Sequence, residues 1–262
     1  EKNMSRDEVI SWAKSYAKQL TIKEKNDNCD TIIPFSPDKI IERDAERKFN
    51  CGYLFLQNIY YNLRLDNICR NIKNKYKFDF DINAILSDLI YSRILCPSSK
   101  LSSFDYSSTL LESPKYELHH IYRDLSVLFK ESDYIQAELY KNSHFIKNRD
   151  TSTLYYDCTN YYFEIEDDDD FRKYGKSKEN RPNPIVGMGL MMDGDGIPLA
   201  FDVYEGNKNE QVSLKPLEER IIKDFELSKL IYCSDAGLAS NKNKKFNNIQ
   251  NTSYIITQSL KK

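Results

Sequence analysis

The chain has 262 residues, 40 % hydrophobic and 30 % charged, with a formal net charge of −2. That balance describes a globular protein, and it excludes nucleic-acid binding by overall charge, so any such binding must come from local basic patches. No run of about 18 apolar residues is present, which argues against a membrane span, and no secretory pattern opens the chain, so a cytoplasmic protein is expected. The six cysteines are scattered without a C-x-x-C pair, and His119, His120 and His144 do not reach metal-ligand spacing with them. Reduced, buried thiols fit that pattern better than a zinc site.

Residues 1–150 read as a helical region for DNA binding or multimerisation, and 151–262 as a separate catalytic core. Ser5-Arg6-Asp7-Glu8 is a capping box, followed by Val9, Trp12, Ala13, Tyr16, Ala17 and Leu20 at helical spacing. Residues 27–37 are polar and proline-punctuated, a loop. Tyr53–Leu63 and Asp66–Tyr76 read as two helices joined tightly at Leu65. Their helix–turn–helix look admits a DNA-recognition reading, but any helical bundle contains such pairs. Asp81 is placed to cap a third helix through Ile85, Leu89 and Ile94, which Pro97 stops. Glu117–Phe129 and Ser132–Ile146 read as a further pair, with Ile121, Leu125, Leu128, Ile135 and Leu139 facing the core.

After Asp150 the apolar period changes to that of strands. Thr153–Ile165 is a long strand candidate, Asp167–Asp170 a solvated acidic turn, and Lys173–Pro184 a basic polar loop. Ile185–Met192 and Pro198–Tyr204 form a hairpin around Asp193-Gly194-Asp195-Gly196. Gly187 and Gly189 inside a strand point to close approach of a neighbouring backbone. Ser213–Phe225 is an amphipathic helix with Leu214, Leu217, Ile221 and Ile222 inward. Leu230–Ser234 is a strand, Asn241–Ile249 a short helix and Tyr254–Thr257 a strand. Three antiparallel strands followed by alternating helix and parallel strand predict an α/β, ribonuclease-H-like mixed sheet, preceded by the all-helical region. In that order the first and fourth strands are neighbours at the sheet centre.

Leu154–Thr159 and Leu230–Gly237 are apolar, aromatic-rich runs that read as buried strands, and each carries one carboxylate, Asp157 and Asp235. A carboxylate so placed is costly unless paired or ligated, and phosphodiester chemistry employs two divalent ions about 4 Å apart on such groups. Strand spacing alone is weak evidence for a catalytic pair. Tyr155, Tyr156, Tyr161 and Tyr162 admit base stacking, with sheet packing the simpler reading. Cys158 and Cys233 read as packing residues.

An ordered set of motifs narrows this. Ser92–Leu101, Ile121-Tyr122-Arg123-Asp124-Leu125, Tyr156-Asp157-Cys158-Thr159, Gly175–Pro182, Ile185–Leu190, Asp195–Leu199, Tyr204-Glu205-Gly206-Asn207 and Ser234-Asp235-Ala236-Gly237 together resemble the DDE transposases of prokaryotic insertion sequences, over roughly residues 80–260. The resemblance implies metal-dependent cleavage and strand transfer at transposon ends. Asp157 would be the first catalytic acid and metal ligand and Asp235 the second, with two Mg2+ or Mn2+ ions in a complete site. It further implies double-stranded DNA partners (terminal inverted repeats and target) and a homo-oligomer on DNA. Lys176, Lys178 and Arg181 are candidates for DNA phosphates, against an exposed polar loop. Asn207 is a candidate for substrate or the metal shell, against a turn residue. The family's third acid, a Glu, lies farther downstream, and no residue up to Lys262 matches it. The expectation is a C-terminally truncated chain, inactive alone. A catalytically dead DNA-binding remnant that interferes with the full-length enzyme, and a ribonuclease-H-like nuclease outside transposition, are the alternatives.

Overall fold

The computed structural model describes residues 10–12, 14–16, 48–225, 227, 230–238, 240–248 and 252–257. The capping box at 5–8 and the loop at 27–37 lie outside the described residues; residues 10–12 and 14–16 are helical. The chain divides into two compact units, residues 1–127 and 128–262.

In the first unit α1 (Tyr53–Asn62), α2 (Leu65–Tyr76), α3 (Ile82–Leu95) and α4 (Lys100–Ser107) precede α5 (Leu118–Lys130), whose last turn crosses into the second unit. The turn between α1 and α2 falls at Arg64, which adopts a left-handed conformation (φ 55°), one residue before the expected connection. Asp81 caps α3 as predicted, accepting hydrogen bonds from the Asn83 and Ala84 amides. Helix α4, capped by Ser99, has no counterpart in the sequence reading, because its many serines give no clear apolar stripe. The core is aromatic and aliphatic: Tyr53, Tyr60, Ile68, Ile72, Ile82, Ile85, Tyr91 and Ile121 are nearly inaccessible. On α5 the buried face runs through Ile121, Asp124 and Val127, whereas Leu125 and Leu128 are half-buried.

The second unit begins with α6 (Ser132–Ser143), which buries Gln136, Ala137 and Tyr140; Ile135 and Leu139 are half-buried, so the packed face is rotated from the one expected. Strands β1 (Thr153–Tyr162), β2 (Ile185–Met192) and β3 (Pro198–Glu205) follow, then α7 (Leu214–Asp224), β4 (Leu230–Ser234), α8 (Asn241–Phe246) and β5 (Thr252–Ile256). The sheet order is β3-β2-β1-β4-β5. The first three strands are antiparallel, and β4 and β5 run parallel to β1. This is the ribonuclease-H-like arrangement, with β1 and β4 adjacent.

One face of the sheet is the core. Leu154, Tyr156 and Cys158 from β1, Met191 from β2 and Tyr232 from β4 pack with Leu214, Leu217, Ile221 and Tyr140. Gly187 and Gly189 do mark close approach, but of rings rather than backbone. A Cβ at Gly187 would stand 2.2 Å from Tyr204 Cε2, and one at Gly189 would stand 1.9 Å from Tyr156 Oη. At the β2–β3 hairpin Asp193 is fully buried and accepts from Arg149 Nε (2.6 Å) and from the Asp195 and Ile197 amides. Burial pushes its carboxyl up, but the guanidinium and the two amides outweigh that and hold it below the usual carboxylate range. The acidic turn at Asp167–Asp170 is exposed, with Asp169 closing it through the Phe171 and Arg172 amides. Among the described residues no helix is long and apolar enough to cross a membrane.

Candidate active site

Strand β1 is two-faced, which overturns the expectation of a buried carboxylate. Alternation sends Leu154, Tyr156 and Cys158 inward, each 2 % exposed or less, and puts Tyr155, Asp157, Thr159 and Tyr161 on the opposite face. The Asp157 side chain is 71 % exposed. No desolvation penalty falls on it, so it needs neither ligand nor partner to be tolerated. Tyrosines stand on both faces, which is why the sequence looked uniformly apolar.

The parallel pairing fixes what lies beside Asp157. Tyr155 pairs with Cys233, the last paired position, so Asp157, two residues farther along β1, and Asp235, one residue past the end of β4, come side by side where β4 ends, despite lying 78 residues apart in sequence. Both line one open cleft of about 330 Å³, with Tyr155, Met192 and Cys233 among its other walls. Cys233 is therefore a half-exposed cleft residue, unlike Cys158. Asp157 Oδ1 accepts from the Cys158 amide at 2.8 Å and lies 3.7 Å from Lys178 Nζ. Asp235 is exposed at the end of β4, where its Oδ1 accepts from the Gly237 amide at 3.1 Å and starts a short 3-10 turn.

Three of the predicted DNA-contact residues come together. Lys176, Lys178 and Asn207 line a second cavity of about 490 Å³ at the end of the sheet. Two glycines create its wall. A Cβ on Gly175 would fall 1.9 Å from the Gly206 carbonyl, and one on Gly206 would fall 2.1 Å from that of Ile185. Only bare backbone lets the basic loop lie against the turn after β3, so the motifs Gly175–Lys178 and Glu205–Asn207 meet. Lys178 reaches between cavity and cleft: its amide donates to Asn160 Oδ1 (3.4 Å), and its ammonium to the Cys158 carbonyl. Arg181 is not among the lining residues. Its Nε bonds Glu179 (3.0 Å) and its guanidinium stacks 4.2 Å above the Tyr162 ring.

Asn160, Tyr204, Asn209 and Gln211 also line the cavity, beyond the residues expected from sequence. Asn160 carries a usable signal, a polar residue on the inward alternation of β1. The donor set in the cleft, two solvent-open carboxylates on adjacent strands, suits a hard divalent cation, which takes one or two protein carboxylates and retains waters. Among the described residues no group of three or more His, Cys, Asp or Glu is placed to hold a metal.

No protein-family model and no curated protein sequence matches the chain. Among solved structures it is similar to the Mos1 transposase in a paired-end complex with the left transposon end, at 10 % identity and a TM-score of 0.28. The match covers 66 % of this chain and 57 % of that one.

Proposed function

We propose that the chain is a DNA transposase of the DDE type, from an insertion sequence, acting on transposon ends and target DNA by metal-dependent phosphodiester cleavage and strand transfer. The observation that carries the reading is the pair of exposed carboxylates, Asp157 on β1 and Asp235 just past the end of the adjacent parallel strand β4, lining one cleft. Asp157 and Asp235 would hold Mg2+ or Mn2+ through their carboxylate oxygens, as first and second acids; the third acid is assigned to no residue of this chain. Bound metal supplies activation of the attacking oxygen and stabilisation of the leaving one. Lys176, Lys178 and Arg181 would bind DNA phosphates beside the cleft, and Asn207 would touch the substrate. Assembly as a homo-oligomer on DNA belongs to the same reading.

The DNA part is tested by measuring duplex affinity against salt concentration. Replacing Lys176, Lys178 and Arg181 by Ala is expected to flatten the log–log slope by about 2–3, near 0.9 for each phosphate that is no longer neutralised. An unchanged slope would remove these residues from the interface.

A further inference from the structure

The cavity beside the carboxylate cleft is donor-rich and small. Lys176, Lys178 and Lys208 stand on its wall against one lining carboxylate, Glu210; Lys208 is paired with Glu205, and Lys178 with Asp157 and the Cys158 carbonyl. Lys176 and Asn207 make no hydrogen bond or ion pair among the described residues. Asn160 and Asn209 spend their side-chain oxygens on the Lys178 and Gln211 amides, which leaves their NH2 groups as donors. Tyr204 contributes its ring, which lies over Gly187, while its hydroxyl is buried.

The cavity is also tied to both aspartates through single residues. Lys178 lines it and stands 3.7 Å from Asp157. Gly237 lines it, donates its amide to Asp235, and accepts at its carbonyl from Gln211 Nε2 at 3.0 Å. A ligand here is therefore held next to whatever group lies over the carboxylates. Its volume of about 490 Å³ is within the range of small-ligand sites and admits one nucleotide. A base-paired duplex, with two strands held together, is too bulky to enter.

We propose that this cavity is a subsite for one unpaired nucleotide of a DNA strand, with its phosphate between Lys176 and Lys178 and its base edge on Asn160 and Asn207. The proposal rests on the DNA reading above and deepens it: the substrate presented to Asp157 and Asp235 is locally single-stranded. Donors unmatched by acceptors select the acceptor-rich phosphate and base carbonyls over a cationic or apolar ligand.

The test uses the whole chain and compares a short single-stranded oligodeoxynucleotide, a blunt duplex of the same sequence, and inorganic phosphate, by fluorescence anisotropy with phosphate as competitor. The expected result is tighter binding of the single strand than of the duplex. Asn160→Ala, which removes the proposed base-edge donor, should cut single-strand affinity about tenfold and leave duplex affinity within twofold. The substitution removes one long hydrogen bond, from the Lys178 amide at 3.4 Å, and equal thermal midpoints would verify the fold. Equal binding of single strand and duplex, an unaffected Asn160→Ala variant, or phosphate competing as well as the oligonucleotide would each overturn the subsite. Mn2+ binding measured on the same samples separates the two failures. Loss of single-strand preference with Mn2+ binding still dependent on Asp157 removes the subsite alone; loss of that dependence removes the catalytic reading.

Discussion

Replacing Arg149 by Met should destabilise the sheet unit more than any surface change. Arg149 is 4 % exposed and Asp193 not at all. The guanidinium donates to Asp193 Oδ2 (2.6 Å), Ser143 Oγ (2.9 Å) and the Ile197 and Pro198 carbonyls (3.1 and 3.0 Å). Removing one partner of a buried pair leaves an uncompensated charge at about 3–5 kcal/mol. The Asp195 and Ile197 amides still hold the carboxylate, which places the expected loss near ~3 kcal/mol. Urea unfolding followed by circular dichroism measures it, and the pH dependence identifies its cause. In the native protein the Asp193 carboxyl is held low, so its contribution is present above the unfolded pKa of about 3.9 and lost as pH falls. Without the guanidinium, burial dominates and the folded pKa rises, so the variant loses stability as pH increases through that range. The gap between the two proteins should widen from about pH 4 to about pH 7. A gap under about 1 kcal/mol at neutral pH, or one independent of pH, would refute the argument.

Two further outcomes follow from the same structure. Glu218 is 2 % exposed, its carboxyl is pushed up to about 7 by burial, and one oxygen is bonded only by Asn247 Nδ2 at 3.1 Å. A raised carboxyl pKa stabilises below the unfolded value and is lost as pH rises through the folded one, so stability should fall by about 2–3 kcal/mol between pH ~4.5 and ~8. Glu218→Gln should flatten that profile, and a slope unchanged in the variant would dismiss Glu218 as its source. Gly206→Ala forces a Cβ against two carbonyls, and should lower stability by about 1–3 kcal/mol and weaken DNA binding with it; a wild-type melting point would show that the glycine contact is not close-packed.

The strand order was legible because the elements announce themselves locally. Asp193-Gly194-Asp195-Gly196 marks the β2–β3 hairpin, and the Leu214, Leu217, Ile221 period marks α7. The neighbouring of Asp157 and Asp235 then followed from topology. The orientation of Asp157 did not, because Tyr155 and Tyr161 on one face and Tyr156 on the other give β1 aromatic residues throughout, and tyrosine tolerates both burial and water. The cavity was illegible for another reason. Its wall depends on Gly175 meeting Gly206, a contact between residues 31 apart that no local pattern encodes. Asp124 was equally hidden: it occupies a core position on α5, fully buried with neither oxygen bonded, and its carboxyl is pushed up to about 7 by burial. A charged residue on an apolar stripe reads from sequence as the edge of the stripe.

The most direct measurement is Mn2+ binding followed by electron paramagnetic resonance on the whole chain, with Asp157→Asn, Asp235→Asn and the double variant. Both side chains are exposed, so the substitutions leave the fold unstrained and change only the donor charge. Each single variant should weaken Mn2+ binding by tenfold or more, about 1.4 kcal/mol, and the double variant should bind no more tightly than either. Equal Mn2+ affinity in all four proteins would contradict the assignment of the cleft as a metal-dependent active site.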